Sequence, residues 1–400
     1  MSHKVTIPIG PYHSLQEEPE FYQLTVDGET VIDIDVRIGY VHRGIEKLAE
    51  SMSYHKIIFL VERICGICST SHPIASVQAI EDAGGIEVPD RALYIRTIVA
   101  ELERLHSHML WLGLAGHFLG YNTVWMWAWK YREIVCDLFE AITGSRQSYA
   151  MMKVGGVQRD IEDEYIPGLI KGMDDTLRAL DMFKGAVLDD PVLGARLKGI
   201  GILSKEDALS YSALGPTSRA SGVDKDVRRD DPYAAYDRVK WNVITQKEGD
   251  VFAKAVIRIL EMYESVSIIK QCVQKMPKGS IDSNPKEIPP GEGIGHAEAP
   301  RGEVFHYIRS DGTNSPARYK VRAPTYMNFP TFKATVIGET ISDATIILAA
   351  IDPCYCCTER KMTAVNQKTR KRSFTGDDMI KLSQEKTRRL YKRMTGKELR

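Results

Sequence analysis

The sequence predicts an α+β fold that is mainly α, with a central helix bundle and small β-sheets. Three observations carry this. Apolar residues recur at Ile98, Leu102, Leu105, Met109 and Leu112, the spacing of one helix face. Asp27-Gly28 and Asp311-Gly312 each separate two strand-like runs, a strong hairpin signal. Two Cys-x-x-Cys pairs, Cys65/Cys68 and Cys354/Cys357, stand near opposite ends of the chain, so only the completed fold can join them. A metal site made from both pairs would be buried between the two terminal regions.

The elements follow in order. Glu20 to Arg37 reads as an N-terminal β-hairpin. A helix over Pro73 to Ala83 begins after the first cysteine pair and stops at Gly84-Gly85. The next starts beyond Pro89-Asp90. Met109 to Trp129 is the best membrane-span candidate, but His117 and Asn122 interrupt it and Glu101, Glu103, Arg104, His106 and His108 precede it. It reads instead as a buried core helix followed by an aromatic loop.

Helices are then expected over Tyr131–Thr143, Ile161–Leu188, Lys205–Ala213 and Ala253–Met276, with Gly144 as a stop and Ser204 with Asp207 as a cap. Pro277 to Pro300 reads as a Pro/Gly-rich loop. Its Gly291-x-Gly293-x-Gly295 lacks the preceding strand of a dinucleotide fingerprint. Arg301 to Arg322 reads as a second hairpin, with strands near 303–322. Asp343 to Ile351 reads as a buried segment delivering the second cysteine pair. Four regions result: a small β region (1–60), a helix-bundle core with the first cysteine motif (61–276), a loop and hairpin region with the second (277–360), and a basic tail (361–400).

In 400 residues, 43% apolar content is ample for a large core, and 53 basic against 53 acidic residues leave no overall field to attract nucleic acid. Seven cysteines, an odd number, argue against a secreted disulfide framework and for a reducing compartment. The N-terminus lacks the apolar core of a signal peptide and reads as a mature start. Arg370-Lys371-Arg372 and Arg388-Arg389 make the tail a solvated charged face, or a surface for a partner or for membrane headgroups.

Thiolates are soft donors that suit nickel, zinc, copper(I) or iron–sulfur clusters. A zinc ribbon closes its two pairs over roughly 15–20 residues, far less than the distance here. A thioredoxin-type dithiol needs one pair and leaves the other unexplained.

Arg63-Ile-Cys65-Gly-Ile-Cys68-x-x-x-His72 and Asp352-Pro-Cys354-x-x-Cys357-x-x-Arg360 resemble the two metal motifs of the large subunit of [NiFe] hydrogenases. Weaker matches stand in the same order: Gly10-Pro11-Tyr12-His13, Gly39 through His42-Arg43-Gly44-Ile45-Glu46, Gly215-Pro216 through Arg219 to Pro232-Tyr233, and Glu298-Ala-Pro300-Arg301-Gly302. More narrowly the chain is similar to the membrane-associated, energy-converting (group 4) branch, related to the quinone-site subunit of respiratory complex I. That branch accepts Arg at the position of Arg360, where many hydrogenases have His and are cut by a maturation protease.

The resemblance implies nickel on all four thiolates, Cys65 and Cys354 terminal and Cys68 and Cys357 bridging to an iron that carries CO and CN ligands. Cys354 would be the first proton acceptor, Glu46 the onward relay, and Arg301 a fixed charge beside the open metal position. His72, Arg63 and Asp352 would surround the ligands, and His13 and His42 would serve a partner or a proton path. It further implies a small subunit with a [4Fe-4S] cluster, since no cluster fits within this chain. Ferredoxin would be the electron donor and integral membrane subunits the ion translocators. The chain itself would lie peripherally on the cytoplasmic face of the membrane, with no transmembrane segment.

Simpler readings stand beside these. Glu46 pairs with Arg43 or Lys47, Arg301 with Glu298 or Glu303, and His72 is a cap or core histidine. Cys136 and Cys272 are buried hydrophobes, and Cys356 points away from its neighbours. Two other functions compete: a sulfur- or quinone-reducing complex I-like subunit, and a structural zinc scaffold.

Overall fold

The computed structural model describes residues 4–14, 16–285, 287–358 and 376–397. They fall into two units, within Met1–Glu359 and Arg360–Arg400. In the first, strands β1 (Lys4–Ile9), β2 (Phe21–Asp27) and β3 (Thr30–Arg37) form an antiparallel sheet in that order. On β2 the buried Tyr22, Leu24 and Val26 alternate with half-buried residues, the period of a one-sided sheet, and Val31 and Ile34 of β3 pair with Val26 and Leu24 on the same face. Beyond it lie the short helix α1 (Ile45–Ala49) and α2 (Tyr54–Glu62).

Helix α3 (Ser71–Gly84) ends where Gly85 turns left-handed, at φ 59°. Helix α4 (Asp90–Phe118) is the axis of the bundle and is buried along almost its whole length. Around it pack α5 (Asn122–Thr143) and α7 (Val251–Lys275), with α6 (Ile166–Leu188) on both. The aromatic stretch expected as a loop after α4 is instead the start of α5. Gly113 and Gly116 admit it: a Cβ on Gly113 would lie 2.9 Å from Ala128 Cβ, and one on Gly116 3.1 Å from Val124. Met126, Trp127 and Trp129 occupy its outer face, which hides the amphipathic pattern.

The second correction falls on 277–300. Gly291–Ala299 is a strand, β4, paired antiparallel with β5 (Gly302–Ser310), which pairs with β6 (Pro316–Arg322). So the second hairpin belongs to a three-stranded sheet. Glycines conceal β4 because they are poor strand formers, yet its contact with α3 demands them. A Cβ on Gly293 would sit 2.0 Å from Ala79 O, and one on Gly295 2.0 Å from Ala75 O. Helix α8 (Ile341–Ala350) then leads to the one-turn α9 (Tyr355–Thr358). In the second unit, α10 (Gly376–Thr395) carries Arg388 and Arg389 on an exposed surface, while Arg360 and Arg370-Lys371-Arg372 lie outside the described residues.

Candidate metal centre

The first cysteine pair occupies the loop between α2 and α3, and the second lies at the start of α9. Folding brings the thiols of Cys65, Cys68, Cys354 and Cys357 within 4.8 Å of one another, all buried. Cys354 Sγ is 3.1 Å from Cys65 Sγ and 2.8 Å from Cys357 Sγ, and no disulfide joins them. Four thiols gathered so closely in the core suit one soft cation, which they would hold together.

Both loops are pinned. The N–H groups of Ile67 and Cys68 donate to Cys65 Sγ at 3.4 Å, and Cys354 N–H donates to Thr325 Oγ1 at 3.1 Å. Asp352 adopts φ 56°, a left-handed turn uncommon for a residue with a Cβ, and so aims Cys354 inward. Glu103 on α4 accepts from Thr70 N–H, Ser71 N–H and the Ser71 hydroxyl at the start of α3. Burial raises its carboxyl to about 7, although those hydrogen bonds oppose the rise.

Arg301, fully buried at the turn between β4 and β5, spreads its nitrogens over the site. Nε donates to Asp352 O at 2.8 Å, a terminal nitrogen lies 2.6 Å from Asp352 Oδ1, and the other reaches Ser107 Oγ at 3.1 Å and Cys68 Sγ at 3.8 Å. Burial works against its charge, but Asp352 and the cysteines outweigh burial and keep it protonated. Neither Glu298 nor Glu303 is its partner: Glu298 binds Arg219 and Glu303 binds Arg322.

His72, in the first turn of α3, places Nε2 3.3 Å from Cys357 Sγ. Arg63 turns outward instead, half exposed, to Phe59 O and Glu62. Arg43 braces the first cysteine loop from outside through Arg63 O (2.9 Å) and Ile64 O (2.6 Å). Glu46 accepts from Val321 N–H at 3.0 Å and pairs with Lys320 at 2.7 Å, while Lys47 pairs with Glu50 at 2.8 Å. His13 and His42 are exposed. Cys136 and Cys272 are buried outside the group of four thiols, and Cys356, also outside it, turns to Glu18, which accepts from its N–H at 2.6 Å and from its thiol.

Sequence reasoning missed Glu17, Glu18, Glu103, Ser107 and His306. Glu17 lines a small cavity of about 20 Å³ together with Ile9, Tyr22, Trp111, Pro353 and Tyr355. Solvent reaches its side chain at the cavity mouth. Dense surrounding protein and the Asp352 charge raise its carboxyl, against Arg301. Only its position beside Glu18 in a run of acids marked it in the sequence, and such runs are usually solvated.

Family comparisons agree with this geometry. Residues 43–115 match the model of nickel-dependent hydrogenases, and residues 119–288 and 281–360 match that of the respiratory-chain NADH dehydrogenase 49 Kd subunit. The chain is 38% identical to the membrane-bound hydrogenase subunit alpha of Pyrococcus furiosus, over 98% of this chain and 95% of that one. It is 40% identical to the carbon monoxide-induced hydrogenase of Rhodospirillum rubrum, over 89% and 99%. A chain of the solved membrane-bound sulfane sulfur reductase, an archaeal respiratory membrane complex, superposes with a TM-score of 0.84 at 31% identity, covering 90% of this chain and 98% of that one. With its four thiols and Arg301 so arranged, the chain belongs to the [NiFe] hydrogenase large-subunit family, in the group 4 branch that shares its ancestry with the complex I subunit.

Proposed function

We propose that this chain is the catalytic subunit of a membrane-associated [NiFe] hydrogenase, which reversibly reduces two protons to H2. The carrying observation is the buried group of four thiols with the Arg301 guanidinium against Cys68. All four thiolates would hold nickel, and Cys68 and Cys357 would share an iron bearing CO and CN ligands, together supplying a redox-active Lewis-acid pair. Arg301 keeps a fixed positive charge where that pair would be open, and Asp352 and Ser107 prevent it from swinging away. Cys354 is the proton acceptor nearest the reaction. Two carboxylates are available to pass the proton on: Glu46, tied to β6, and Glu17, whose surroundings include Arg301, Asp352 and Cys65.

Electrons require a partner. Cys136, Cys272 and Cys356 are too few to hold a [4Fe-4S] cluster, so a small subunit brings one, docking where Gly66 reaches the surface beside the thiols. His13 and His42 are exposed to such a partner. Among the described residues no helix is long and apolar enough to cross a membrane. The Pyrococcus furiosus relative and the sulfane sulfur reductase are membrane-bound, which supports a chain that sits peripherally, on the cytoplasmic face, against integral subunits that translocate ions, with reduced ferredoxin as the donor.

Elemental analysis with infrared spectroscopy on the purified complex tests this. Stoichiometric nickel with carbonyl and cyanide bands supports it. Zinc in a matured sample points to the structural scaffold instead. A second reading, a sulfur- or quinone-reducing complex I-like subunit, gains support from the likeness to the sulfane sulfur reductase. Metal bands together with polysulfide or quinone reduction and no H2 turnover would favour it.

A further inference from the structure

A line of buried polar side chains ends on one of the four sulfurs. His72 Nε2 lies 3.3 Å from Cys357 Sγ, and His72 Nδ1 lies 3.0 Å from His306 Nε2. His306 Nδ1 is then 2.7 Å from Tyr319 OH, which is 2.7 Å from Ser76 Oγ. All four outer members are at most 1% exposed. Each element contributes by its own periodicity. Ser76 is one turn beyond His72 on α3, so the two share a face. His306 on β5 pairs in register with Val321 and Tyr319 with Ile308, so His306 and Tyr319 are diagonal neighbours on one side of the sheet. The glycines of β4 let α3 lie close enough for the two faces to meet.

The direction of this chain follows from its inner end. A metal-bound thiolate has no hydrogen to give, so His72 Nε2 must be the donor there. A neutral imidazole that donates from one nitrogen accepts at the other. His72 Nδ1 therefore accepts from His306 Nε2–H, and His306 Nδ1 accepts from Tyr319 O–H. The phenol has a single hydrogen, so its oxygen accepts from the Ser76 hydroxyl. One orientation satisfies every atom. Reversal at any link puts two lone pairs or two hydrogens face to face.

We infer that His306, Tyr319 and Ser76 are positioning residues for the metal centre, locking His72 in the tautomer that donates from Nε2 to the Cys357 sulfur. That hydrogen bond draws electron density off the sulfur and so tunes whatever metal it binds. The inference rests on the four cysteines being a metal centre, but not on the identity of the metal.

Tyr319→Phe removes one oxygen and frees His306 to take the other tautomer. In the purified complex its carbonyl and cyanide stretches should shift from the wild-type positions at unchanged nickel content. His306→Leu should shift them further, and His306→Gln, whose amide can still donate to His72, should restore them. Tyr149→Phe trims another buried phenol outside the chain and should leave them in place. Coincident wild-type, Tyr319→Phe and His306→Leu spectra would overturn the inference. If His306→Leu does not accumulate, Tyr319→Phe decides alone. A wild-type complex without such bands would sink the hydrogenase reading instead. The same variants are then compared by the thiolate-to-metal charge-transfer band of the cobalt(II)-loaded full chain, where a shift in Tyr319→Phe supports the inference and an unmoved band overturns it.

Discussion

Each nitrogen of Arg301 has its own work: one fixes the Asp352 carbonyl, one pairs with the Asp352 carboxylate, one spans Ser107 and Cys68. Lysine carries the charge but not this fork. Arg301→Lys should therefore keep its nickel and lose activity by about 100-fold or more, as measured by H2 evolution against metal content. Arg301→Met additionally leaves Asp352 buried without its partner and should cost ~3–5 kcal/mol, read from denaturant midpoints. The thiols make a second prediction. Hydrogen bonds from Cys354, Cys357 and Cys68 hold Cys65 well below the ordinary thiol range, whereas Cys68, Cys354 and Cys357 are raised. A metal needs all four as thiolates, so its entry must expel the protons that remain. Cobalt(II) added to the reduced, metal-free chain near neutral pH should release about three protons, and its affinity should rise with pH. An indicator dye in weak buffer reads the first and absorbance titrations at several pH values read the second.

Helix α3 and strand β4 show how an element can be required by packing yet absent from pattern. The alternating glycines of β4 are a helix-contact face, and the carbonyls of Ala75 and Ala79 fill the space where side chains would be. Gly295→Ala should destabilise the chain by ~1–3 kcal/mol or more and separate His72 from His306. Differential scanning calorimetry and the infrared bands would report the two effects. Helix α7 carries a different conflict. Lys254 is fully buried with Nζ donating to Gly201 O at 3.0 Å, and burial, reinforced by Arg258, lowers its pKa to about 7. The unfolded chain keeps that proton up to about 10.4. Folding is therefore penalised at and below neutral pH, and the penalty lifts as pH rises through that window. Lys254→Met should be more stable than wild type by ~1–4 kcal/mol near neutrality, with the gap closing toward the alkaline end. Chemical denaturation across the range checks the sign.

Across the whole molecule, what could be read in advance divides by the distance over which partners act. The cysteine pairs and Arg301 carry local motifs, and the Asp-Gly turns fix their hairpins. Glu103, Ser107, His306 and Tyr319 have no such local mark, because each finds its partner on an element far along the chain. The charges of α4 are the clearest case. Glu101 binds Arg104, Arg228, Tyr236 and Ser265, while Arg219 joins Glu261 and Glu298, and His108 meets Glu261 at 2.9 Å. In sequence these charges argued only against a membrane span; in the fold they tie α4 to α7, β4 and the segment 219–236. Burial alone would raise Glu101, Asp226 and Glu261, but the arginines outweigh it and hold all three below their ordinary values. Their stabilisation is complete above the unfolded carboxylate range, about 4, and is lost as pH falls below it. Burial also lowers His108 to about 4, so the unfolded chain takes up a proton first as pH drops from about 6.5. Both terms have the same sign, and the contribution of Glu101, Asp226, Glu261 and His108 should decline from about pH 6.5 downward, opposed by the raised carboxyls of Glu103 and Glu17, which favour the folded chain as they take up protons. Arg228→Met leaves Glu101 and Asp226 without a cation each now touches, which should cost ~3–5 kcal/mol and move the acid transition to higher pH. Thermal melts at stepped pH, with wild type and variant side by side, separate this from simple core damage: lost packing would lower every midpoint equally, whereas a lost counter-charge leaves a gap that is widest where the carboxylates are ionised and narrows as falling pH protonates them.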